Sequence, residues 1–491
     1  MAEGSLNQPG RVEAFFRALA SDQALASQLV HLEVIPGQPA CLGQLDPPLP
    51  TELAEAVKRL GVERFYSHQA EALAALRQGR DVIVATPTAS GKSLIYWLSV
   101  WEQFIGEPEA KAIFVFPLKA LEQDQLRGLA DLAEKVALAG GPRLEAGVYD
   151  GDTSPAKRKK LRVNPPQVLI TNPDMLHLGL LAYHDKWVNL FKNLRLVVLD
   201  EAHAYRGIFG SHLVQVIRRL SRVCDYYGSR PVFLLSSATI DNPASLGQIL
   251  IGRPVSAVST SGAAQPERFF AFFNPEYSPG HAAALLLVRA MRAGLKTIAF
   301  TQARKMTELV HMWASAMARD KKISSYRAGF LPEDRRKIES DLASGRLDGV
   351  VSTSALEMGI DIGALDLCLL VGYPGTVVAT WQRAGRVGRT EWPCGVILIA
   401  QPDALDHYII RHPKDFFGRG FEPAVVDPDN PEVVGPHLVC AAAEIPLAAD
   451  DQAFSLKEKQ DLLEELDQAG PLHLRHRRQH PRRQGLWHLH H

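Results

Sequence analysis

The chain has 491 residues, which is too long for one ordinary hydrophobic core and predicts two to four domains. Its composition, 46% hydrophobic and 22% charged, is typical of a globular enzyme and excludes a low-complexity or fibrous protein. The 54 basic and 54 acidic residues cancel, so any nucleic-acid binding must come from a local groove and not from overall charge.

Two further features bear on location and on metal binding. No apolar run reaches the ~18–20 residues of a membrane helix, and the N-terminus lacks the basic and apolar regions of a secretion signal. We therefore expect a cytoplasmic protein without a membrane partner. The cysteines are far apart and form no C-x-x-C pair, which predicts free thiols and argues against a zinc site or a disulfide framework. They are Cys41, Cys224, Cys368, Cys394 and Cys440.

The chain begins with amphipathic helical patterns over Val12 to Leu19 and Leu25 to Leu32, followed by a Pro- and Gly-rich stretch. Short apolar runs then alternate with helical segments, as expected of buried parallel strands covered by helices. The first series is DVIVA (81–85), AIFVF (112–116), VLIT (168–171), LRLVVLD (194–200) and PVFLLS (231–236). The second is TIAFT (297–301), GVVST (349–353), LCLLVG (367–372) and GVILIA (395–400).

These series predict an α/β protein with two successive parallel sheets, each flanked by helices. The stretch STSGAAQPERFF (259–270) between the two series is the predicted domain junction. The predicted domains are a helical N-terminal extension (1–57), two α/β domains (58–258 and 259–420), a C-terminal region (421–470) and a basic, His-rich, disordered tail (471–491).

Residues 84–93, VATPTASGKS, are similar to a phosphate-binding loop in which Thr86 replaces the first glycine. Gly91 lets the backbone approach a phosphate, Lys92 supplies a positive charge, and the Ser93 hydroxyl is a Mg²⁺ ligand. Alone, so imperfect a match also arises by chance. The expected nucleotide-binding residues of this loop are Thr86, Thr88, Ala89, Ser90, Gly91, Lys92 and Ser93.

The sequence DEAH at 200–203 supplies the partner that the loop needs, because it directly follows a predicted buried strand. Asp200 is expected to hold Mg²⁺ together with Ser93, and Glu201 to orient and deprotonate the attacking water. An exposed acidic turn is the alternative for a single Asp-Glu pair. The combination with Lys92 in a strand–loop–helix context favours an ATPase.

Together these motifs resemble superfamily 2 helicases of the DEAD/DEAH-box type over residues from about 60 to 420. The resemblance implies two tandem RecA-like domains, ATP with Mg²⁺ as cofactor, and a catalytic role for His203. FYSHQ (65–69) resembles the Q motif, whose glutamine, here Gln69, reads adenine. SSAT (236–239) resembles motif III, which implies that Ser237 and Thr239 couple hydrolysis to nucleic-acid contact.

The second domain resembles the same family in VVSTSALEMGIDIG (350–363), similar to motif V, and QRAGRVGR (382–389), similar to motif VI. By this resemblance Arg386 and Arg389 place positive charge on the γ-phosphate in the transition state. Gly359 and Asp361 contact the nucleotide, and Gln382 takes part in coupling.

Three segments resemble the family's nucleic-acid contacts: FPLKALEQDQ (116–125), TNPDML (171–176) and the start of motif V. Such contacts reach sugar and phosphate and do not read bases, so we expect sequence-independent, salt-sensitive binding of single-stranded nucleic acid. The implied contact residues are Pro117, Lys119, Thr171, Asn172 and Thr353.

A finer resemblance is to the MrfA (YprA-like) and Hrq-type DNA helicases, carried by RAGFLPEDRRKIE, LVGYPGTVVATWQRAGRVGR and DPDNPEVVGPHLVCAAAEIPL (427–447). It implies 3′→5′ translocation on single-stranded or tailed DNA and a role in DNA repair. A repair nuclease or other repair partners are further expectations; the sequence leaves the oligomeric state open, with a monomer favoured. The family continues into a four-cysteine zinc domain, and this chain ends before such a cluster. An RNA helicase, an ATPase with little unwinding, and a binding module without turnover remain alternatives.

Overall fold

Strands and helices alternate along most of the chain in the computed structural model, which describes residues 8–327, 329–359, 363–389, 391–448, 450–475 and 486–489. The strands are β1 (Leu29–Ile35), β2 (Leu42–Gly43), β3 (Phe65–Tyr66), β4 (Val82–Ala85), β5 (Lys111–Val115), β6 (Ala146–Val148), β7 (Val168–Thr171), β8 (Leu194–Leu199), β9 (Val232–Ser237), β10 (Ser256–Val258), β11 (Arg268–Phe273), β12 (Thr297–Thr301), β13 (Ile323–Tyr326), β14 (Gly349–Ser352), β15 (Leu367–Val371), β16 (Cys394–Ile399), β17 (Leu447–Ala448), β18 (Leu472–Arg475) and β19 (Leu486–Leu489).

The α-helices are α1 (Gln8–Ser21), α2 (Thr51–Arg59), α3 (Ser67–Arg77), α4 (Lys92–Gly106), α5 (Lys119–Leu138), α6 (Pro155–Val163), α7 (Pro173–Met175), α8 (Val188–Lys192), α9 (Gly207–Tyr227), α10 (Pro243–Ile251), α11 (Pro279–Arg292), α12 (Arg304–Met317), α13 (Pro332–Ala343), α14 (Val377–Ala384), α15 (Ala404–Arg411), α16 (Pro413–Gly418), α17 (Pro431–Glu444) and α18 (Gln460–Gln468). A π-helical turn, Leu176–Leu180, directly follows α7.

The chain divides into two compact units. One, the P-loop unit, comprises Leu42–Thr86, Gly91–Thr260 and Pro423–His491. The other, the GRVGR unit, comprises Met1–Cys41, Pro87–Ser90 and Ser261–Glu422. None of the helices in the described part of the chain combines the length and hydropathy that a bilayer crossing requires.

The P-loop unit is built on a seven-stranded sheet of order β10-β4-β9-β8-β5-β7-β6. Every pairing in it is parallel. The strands predicted from apolar runs are β4, β5, β7, β8 and β9, and three of them are buried at every position. The order makes β4, β9 and β8 neighbours, so their carboxyl ends lie side by side at one edge. Ligands of open parallel sheets bind at such an edge.

The GRVGR unit contains a second seven-stranded sheet, of order β1-β11-β16-β15-β12-β14-β13. Its pairings are parallel except for β1, which runs antiparallel to β11. This confirms the predicted α/β class with two helix-flanked parallel sheets. Strand β11 begins inside the stretch that we interpreted as a junction, so the junction ends earlier than predicted.

The helical interpretation of the N-terminal extension is correct for α1 and wrong for the following segment. The apolar face of α1, formed by Val12, Phe15, Phe16 and Leu19, is buried in the core of the second sheet. Each such side chain contributes about 1.5–3 kcal/mol on burial. Residues from Leu29 to Ile35 instead form the edge strand β1. The alternation in LVHLEVI has the period of a strand, and pairing with β11 outweighs the weak helical pattern.

The C-terminal residues form a small module, α17 to β19, which also corrects a prediction. Its three-stranded antiparallel sheet has the order β17-β19-β18, and its core includes Leu438, Phe454, Leu463, Leu472 and Trp487. We expected the tail 471–491 to be disordered, but Leu472–Arg475 pairs with Leu486–Leu489. The apolar residues among the arginines and histidines are what the module buries.

Candidate nucleotide site and nucleic-acid face

The phosphate-binding loop lies between β4 and the N-terminus of α4, as predicted. Gly91 is the residue before α4 and has φ +80°, a conformation that glycine adopts without strain. A Cβ at this position would lie 2.6 Å from Nε2 of Gln69. The Lys92 ammonium donates to the Thr86 carbonyl at 2.8 Å, which holds the charge at the loop. Backbone N–H groups at a helix N-terminus beside a lysine favour phosphate.

The other loop residues divide into buried and accessible ones. Thr86 and Ser90 are buried, Thr88 is half-buried, and Ala89 is exposed with φ 61°. All of these residues were predicted to bind the nucleotide. The structure gives Thr86 a scaffold position through its carbonyl, because its side chain is fully buried.

The side chain of Gln69 joins the Q motif to the loop. Its Oε1 accepts the backbone N–H of Tyr66 at 3.0 Å, and its Nε2 donates to the Gly91 carbonyl at 2.9 Å. A primary amide has a second N–H and a second lone pair, so these contacts leave capacity for an adenine edge. The hydrogen bond from Gln69 to the Gly91 carbonyl was not predicted from the sequence.

Ser93 is prepared as a ligand by a neighbour that sequence analysis missed. The Tyr96 hydroxyl donates to Ser93 Oγ at 2.8 Å. Gln125 Nε2 also donates to this oxygen, over a longer distance of 3.4 Å, and a cation would take the place of that weaker bond. Burial raises the pKa of Tyr96 well above its usual value, so this tyrosine stays a proton donor.

The carboxylates of the DEAH sequence directly follow β8. Strand β9 pairs with β8 on one side and, on the other, with β4, the strand that precedes the phosphate-binding loop. Asp200 and Glu201 are 8% and 7% exposed. Burial, and then the charge of Glu201, raises the pKa of Asp200. Such a buried acidic pair is stabilised in its charged form by a divalent cation. The oxygen donors of Ser93 and Asp200 are the kind that Mg²⁺ prefers, so the residues present fit the expected ion.

The backbone at Glu201 is strained. It has φ 51° and ψ 46°, a left-handed conformation that costs a non-glycine residue about 1–2 kcal/mol. The chain turns here directly after the end of β8. Sharp turns of this kind are frequent where a catalytic group must be oriented.

Two serines of SSAT contact the DEAH segment, and only one of them was predicted. Ser236 donates a hydrogen bond to Asp200 Oδ1. Ser237 lies 3.4 Å from Nδ1 of His203, and Thr239 is half-buried just beyond the strand. Ser236 was not among the predicted site residues. The register Leu199 to Leu235 places it beside Asp200, a signal available only once β8 and β9 are known to be neighbours.

His203 connects the two motifs through the backbone. Its Nδ1 accepts the Ala238 N–H at 3.1 Å, so the neutral ring carries its proton on Nε2. Burial lowers the pKa of His203, which keeps it neutral. The imidazole is therefore well suited to transmit a shift between the DEAH turn and β9.

The motif VI arginines of the GRVGR unit are organised by Glu357 of motif V. Arg386 is 1% exposed and donates to the Glu357 carbonyl from Nε at 3.0 Å and from Nη2 at 2.6 Å. Arg383 donates from Nε to the Glu357 carboxylate at 2.8 Å. Neither Glu357 nor Arg383 was among the predicted site residues. The remaining predicted residues here are Gln382, which is buried, and Gly359 and Arg389, which are half-buried; Asp361 lies outside the described residues.

The predicted nucleic-acid residues differ in accessibility. Lys119 is half-exposed and pairs with Asp152 at 2.9 Å, and Pro117 is half-buried. Thr171 is fully buried, and its hydroxyl donates to the Tyr149 carbonyl at 2.7 Å, so its predicted contact with nucleic acid is left to the backbone. This hydrogen bond joins the end of β7 to Tyr149.

Asn172 and Thr353 act as helix caps in this structure. Asn172 Oδ1 accepts the Met175 N–H at 3.0 Å, and its Nδ2 donates to Glu122 Oε1 at 2.9 Å. Thr353 Oγ1 accepts the Ala355 N–H at 3.4 Å. Both side chains thus fix the local backbone, whose N–H groups are the remaining candidates for phosphate contact.

Three regions of the chain match known protein families. Residues 66–246 match the DEAD/DEAH box helicase family, residues 282–391 match the helicase conserved C-terminal domain, and residues 426–491 match the winged helix domain of ATP-dependent helicase HRQ1. The last match includes the tail that we had not interpreted as a continuation of the family.

Among curated proteins, the chain is 40% identical to the ATP-dependent helicase YprA of Bacillus subtilis over 88% of its length, covering 59% of that protein. It is 36% identical to the ATP-dependent helicase HRQ1 of Saccharomyces cerevisiae over 89% of its length, covering 42% of that protein. The chain therefore spans roughly half the length of these relatives.

Among solved structures, the helicase MrfA bound to DNA has a TM-score of 0.89 and 37% identity. The likeness covers 97% of this chain and 63% of that one. The Mycobacterium smegmatis helicase Lhr, bound to ssDNA and AMP-PNP, has a TM-score of 0.75 and 25% identity, with coverage of 90% and 60%.

Proposed function

This chain belongs to the superfamily 2 helicases of the DEAD/DEAH-box type, of the kind that includes MrfA and HRQ1, and we propose that it is an ATP-driven DNA helicase or translocase. The observation that carries the proposal is the likeness over nearly the whole chain to a DNA-bound MrfA. The loop lysine and the DEAH carboxylates lie at the same sheet edge, where nucleotide chemistry needs them.

In the proposed mechanism, Lys92 binds the β- and γ-phosphates of ATP and the loop N–H groups surround them. Ser93 and Asp200 would hold Mg²⁺, which when bound neutralises developing phosphate charge. Glu201, which lies in the strained turn, orients the attacking water and accepts its proton. Gln69 reads adenine while holding the loop carbonyl at Gly91.

Catalytic roles are also proposed for the arginines of motif VI. Arg386 and Arg389 would stabilise the γ-phosphate transition state, a contribution of roughly 10³–10⁵ in rate for arginine fingers. The contact of Arg386 with the Glu357 carbonyl supports the idea that motifs V and VI move as one piece. Gly359 and Asp361 are proposed nucleotide contacts, and Ser237, Thr239 and Gln382 proposed coupling residues.

The proposed substrate is single-stranded or tailed DNA, since MrfA and Lhr are seen with DNA. Pro117, Lys119 and the backbone at Asn172 and Thr353 are proposed to contact sugar and phosphate. Translocation in the 3′→5′ direction, a role in DNA repair and a monomeric state belong to the same proposal. The proposed ATP-binding and C-terminal helicase domains are residues 58–258 and 259–420.

The test combines ATP hydrolysis with strand displacement. ATPase rates are measured with single-stranded DNA, with single-stranded RNA and without nucleic acid, and duplexes with 3′ or 5′ tails are offered for unwinding. Glu201→Gln is the matched control, because it keeps the size of the side chain and removes the base.

We expect DNA-stimulated hydrolysis, unwinding of the 3′-tailed duplex, and neither in Glu201→Gln. Stronger stimulation by RNA would favour an RNA helicase. Stimulation without unwinding would leave a translocating ATPase. Turnover equal in wild type and Glu201→Gln would refute the enzyme.

A further inference from the structure

Arg219 is a fully buried arginine that joins three parts of the P-loop unit. It lies on α9 and is 1% exposed. Its Nη1 donates to Nδ1 of His177 at 2.7 Å and to Nδ1 of His437 at 3.1 Å. Its Nε donates to Glu444 Oε2 at 3.0 Å, and its Nη2 donates to Glu444 Oε1. His437 and Glu444 belong to α17 of the C-terminal module, whereas His177 belongs to the π-helical turn after β7.

These contacts fix the protonation of the cluster. A guanidinium has no acceptor, so Nδ1 of His177 and of His437 must be unprotonated. The remaining proton of neutral His437 is on Nε2, which donates to Nδ1 of His212 at 3.1 Å. Burial, and then Arg219, lowers the pKa of His437 to about 3 and lowers the pKa of His177. The two histidines thus act as neutral acceptors for Arg219, which also forms an ion pair with Glu444.

The positions of these residues along the chain connect the cluster to both candidate sites. Helix α9 starts at Gly207, directly after the DEAH turn. His177 follows Asn172, the cap residue of the proposed nucleic-acid segment, in one continuous helical stretch. The cluster therefore touches the helix that leads from the carboxylates and the segment that leads from Asn172.

A neighbouring arginine provides a comparison, because its role is to hold the C-terminal module to α9. Arg222 lies on the same helix and donates to Asp451 Oδ2 at 2.7 Å and to the carbonyls of Ala441 and Ile445 at 3.1 and 2.9 Å. All of these acceptors belong to the C-terminal module. Arg222 thus binds the module to α9, and Arg219 additionally reaches the segment after Asn172.

We propose that Arg219 is a positioning residue that links the C-terminal module to the Asn172 segment through His177, so that nucleic acid bound there stimulates ATP hydrolysis fully only when this link is intact. The proposal rests on the proposed function, because it requires that nucleic acid stimulates ATP hydrolysis. The three histidines of the cluster are not proposed as a metal site, since no group of three or more His, Cys, Asp or Glu side chains among the described residues is arranged to hold a metal ion.

The test breaks the link at His177 and leaves the Arg219–Glu444 pair in place. His177→Leu removes the acceptor, whereas in His177→Asn the Oδ1 replaces Nδ1. Arg222→Met loosens docking without touching the link. The measurements are basal ATPase, the DNA concentration at half-maximal stimulation, thermal unfolding, and amide hydrogen exchange over residues 172–180.

We expect His177→Leu to keep basal turnover and to need roughly threefold or more DNA for half-maximal stimulation. Exchange over 172–180 should be faster than in wild type. His177→Asn should restore both values. Arg222→Met should lower the unfolding temperature without either change.

An unchanged DNA requirement in His177→Leu, an equal defect in His177→Asn, or the same shift in Arg222→Met would overturn the proposal. If wild-type turnover responds to neither DNA nor RNA, the proposed function fails separately. Hydrogen exchange then decides the link: faster exchange in His177→Leu than in Arg222→Met supports it, and equal exchange refutes it.

Discussion

Nδ1 of His203 accepts a hydrogen bond from the backbone N–H of Ala238 at 3.1 Å. This bond joins the DEAH turn to the segment after β9, with Ser237 beside it. Burial lowers the pKa of His203, which favours the neutral imidazole that accepts this bond.

Replacement of His203 should show whether this hydrogen bond couples DNA binding to ATP hydrolysis or only stabilises the fold. His203→Leu leaves the buried Ala238 N–H without its acceptor, which costs about 1–3 kcal/mol of stability. We expect a lower unfolding temperature and a smaller maximal stimulation of ATPase by DNA. His203→Asn, whose Oδ1 replaces Nδ1, should recover most of both. Equal stimulation in wild type and His203→Leu would contradict the coupling role.

Ser236→Ala should impair the metal dependence of hydrolysis. The Ser236 hydroxyl donates to Asp200, and hydrogen bonds to charged groups contribute about 1.5–3 kcal/mol. Without this donor the carboxylate is held less firmly, so we expect a higher Mg²⁺ concentration for half-maximal ATPase. Ser99→Ala is the control, since that hydroxyl donates to the Ile95 carbonyl within α4. A Mg²⁺ titration that is identical for Ser236→Ala and wild type would refute the assignment.

Lys92→Ala and Arg389→Ala should differ in which step they affect. Lys92→Ala removes the phosphate-binding charge, so the Kd for ATP should rise. Arg389→Ala should leave the Kd for ATP nearly unchanged and lower kcat by about 10³-fold or more. Equilibrium binding of a labelled ATP analogue and turnover at saturating ATP and DNA distinguish the two. Full turnover in Arg389→Ala would rule out the finger role.

Glu122 gives a pH-dependent prediction. Its Oε1 accepts the Asn172 amide, its Oε2 has no hydrogen-bond partner among the described residues, and burial raises its pKa from 4.5 to about 7. The folded state thus binds the proton more tightly than the unfolded state. The stabilisation is complete below pH 4.5 and is lost as the pH rises through 7.

Glu122→Gln should therefore stabilise the protein at pH 8 relative to wild type and have little effect at pH 5. The measurement is the difference in unfolding temperature between variant and wild type at the two pH values. Taking the difference cancels other titrations, such as that of His437. A difference independent of pH would contradict the raised pKa.

Much of the fold was predictable because its signals are local. Buried parallel strands such as VLIT and LCLLV are continuous apolar runs, and each of them forms a strand. Polar or short edge strands such as Ile323–Tyr326 lack that signal. The helical prediction for Leu25 to Leu32 failed from Leu29 onward, because the pairing that makes this segment a strand is to β11, more than two hundred residues away.

The sequence alone determined the chemistry of the chain, namely the loop with Lys92, the DEAH carboxylates and the GRVGR arginines, because these motifs are contiguous and each requires specific side chains. Only the tertiary structure decided which side chains support them: Ser236 on Asp200, Tyr96 on Ser93, Glu357 on Arg386, and Arg219 between two helices and a turn. Those contacts join residues whose proximity depends on sheet order, strand register and helix packing. No periodicity along the chain encodes that proximity, since it arises when buried surfaces pack together.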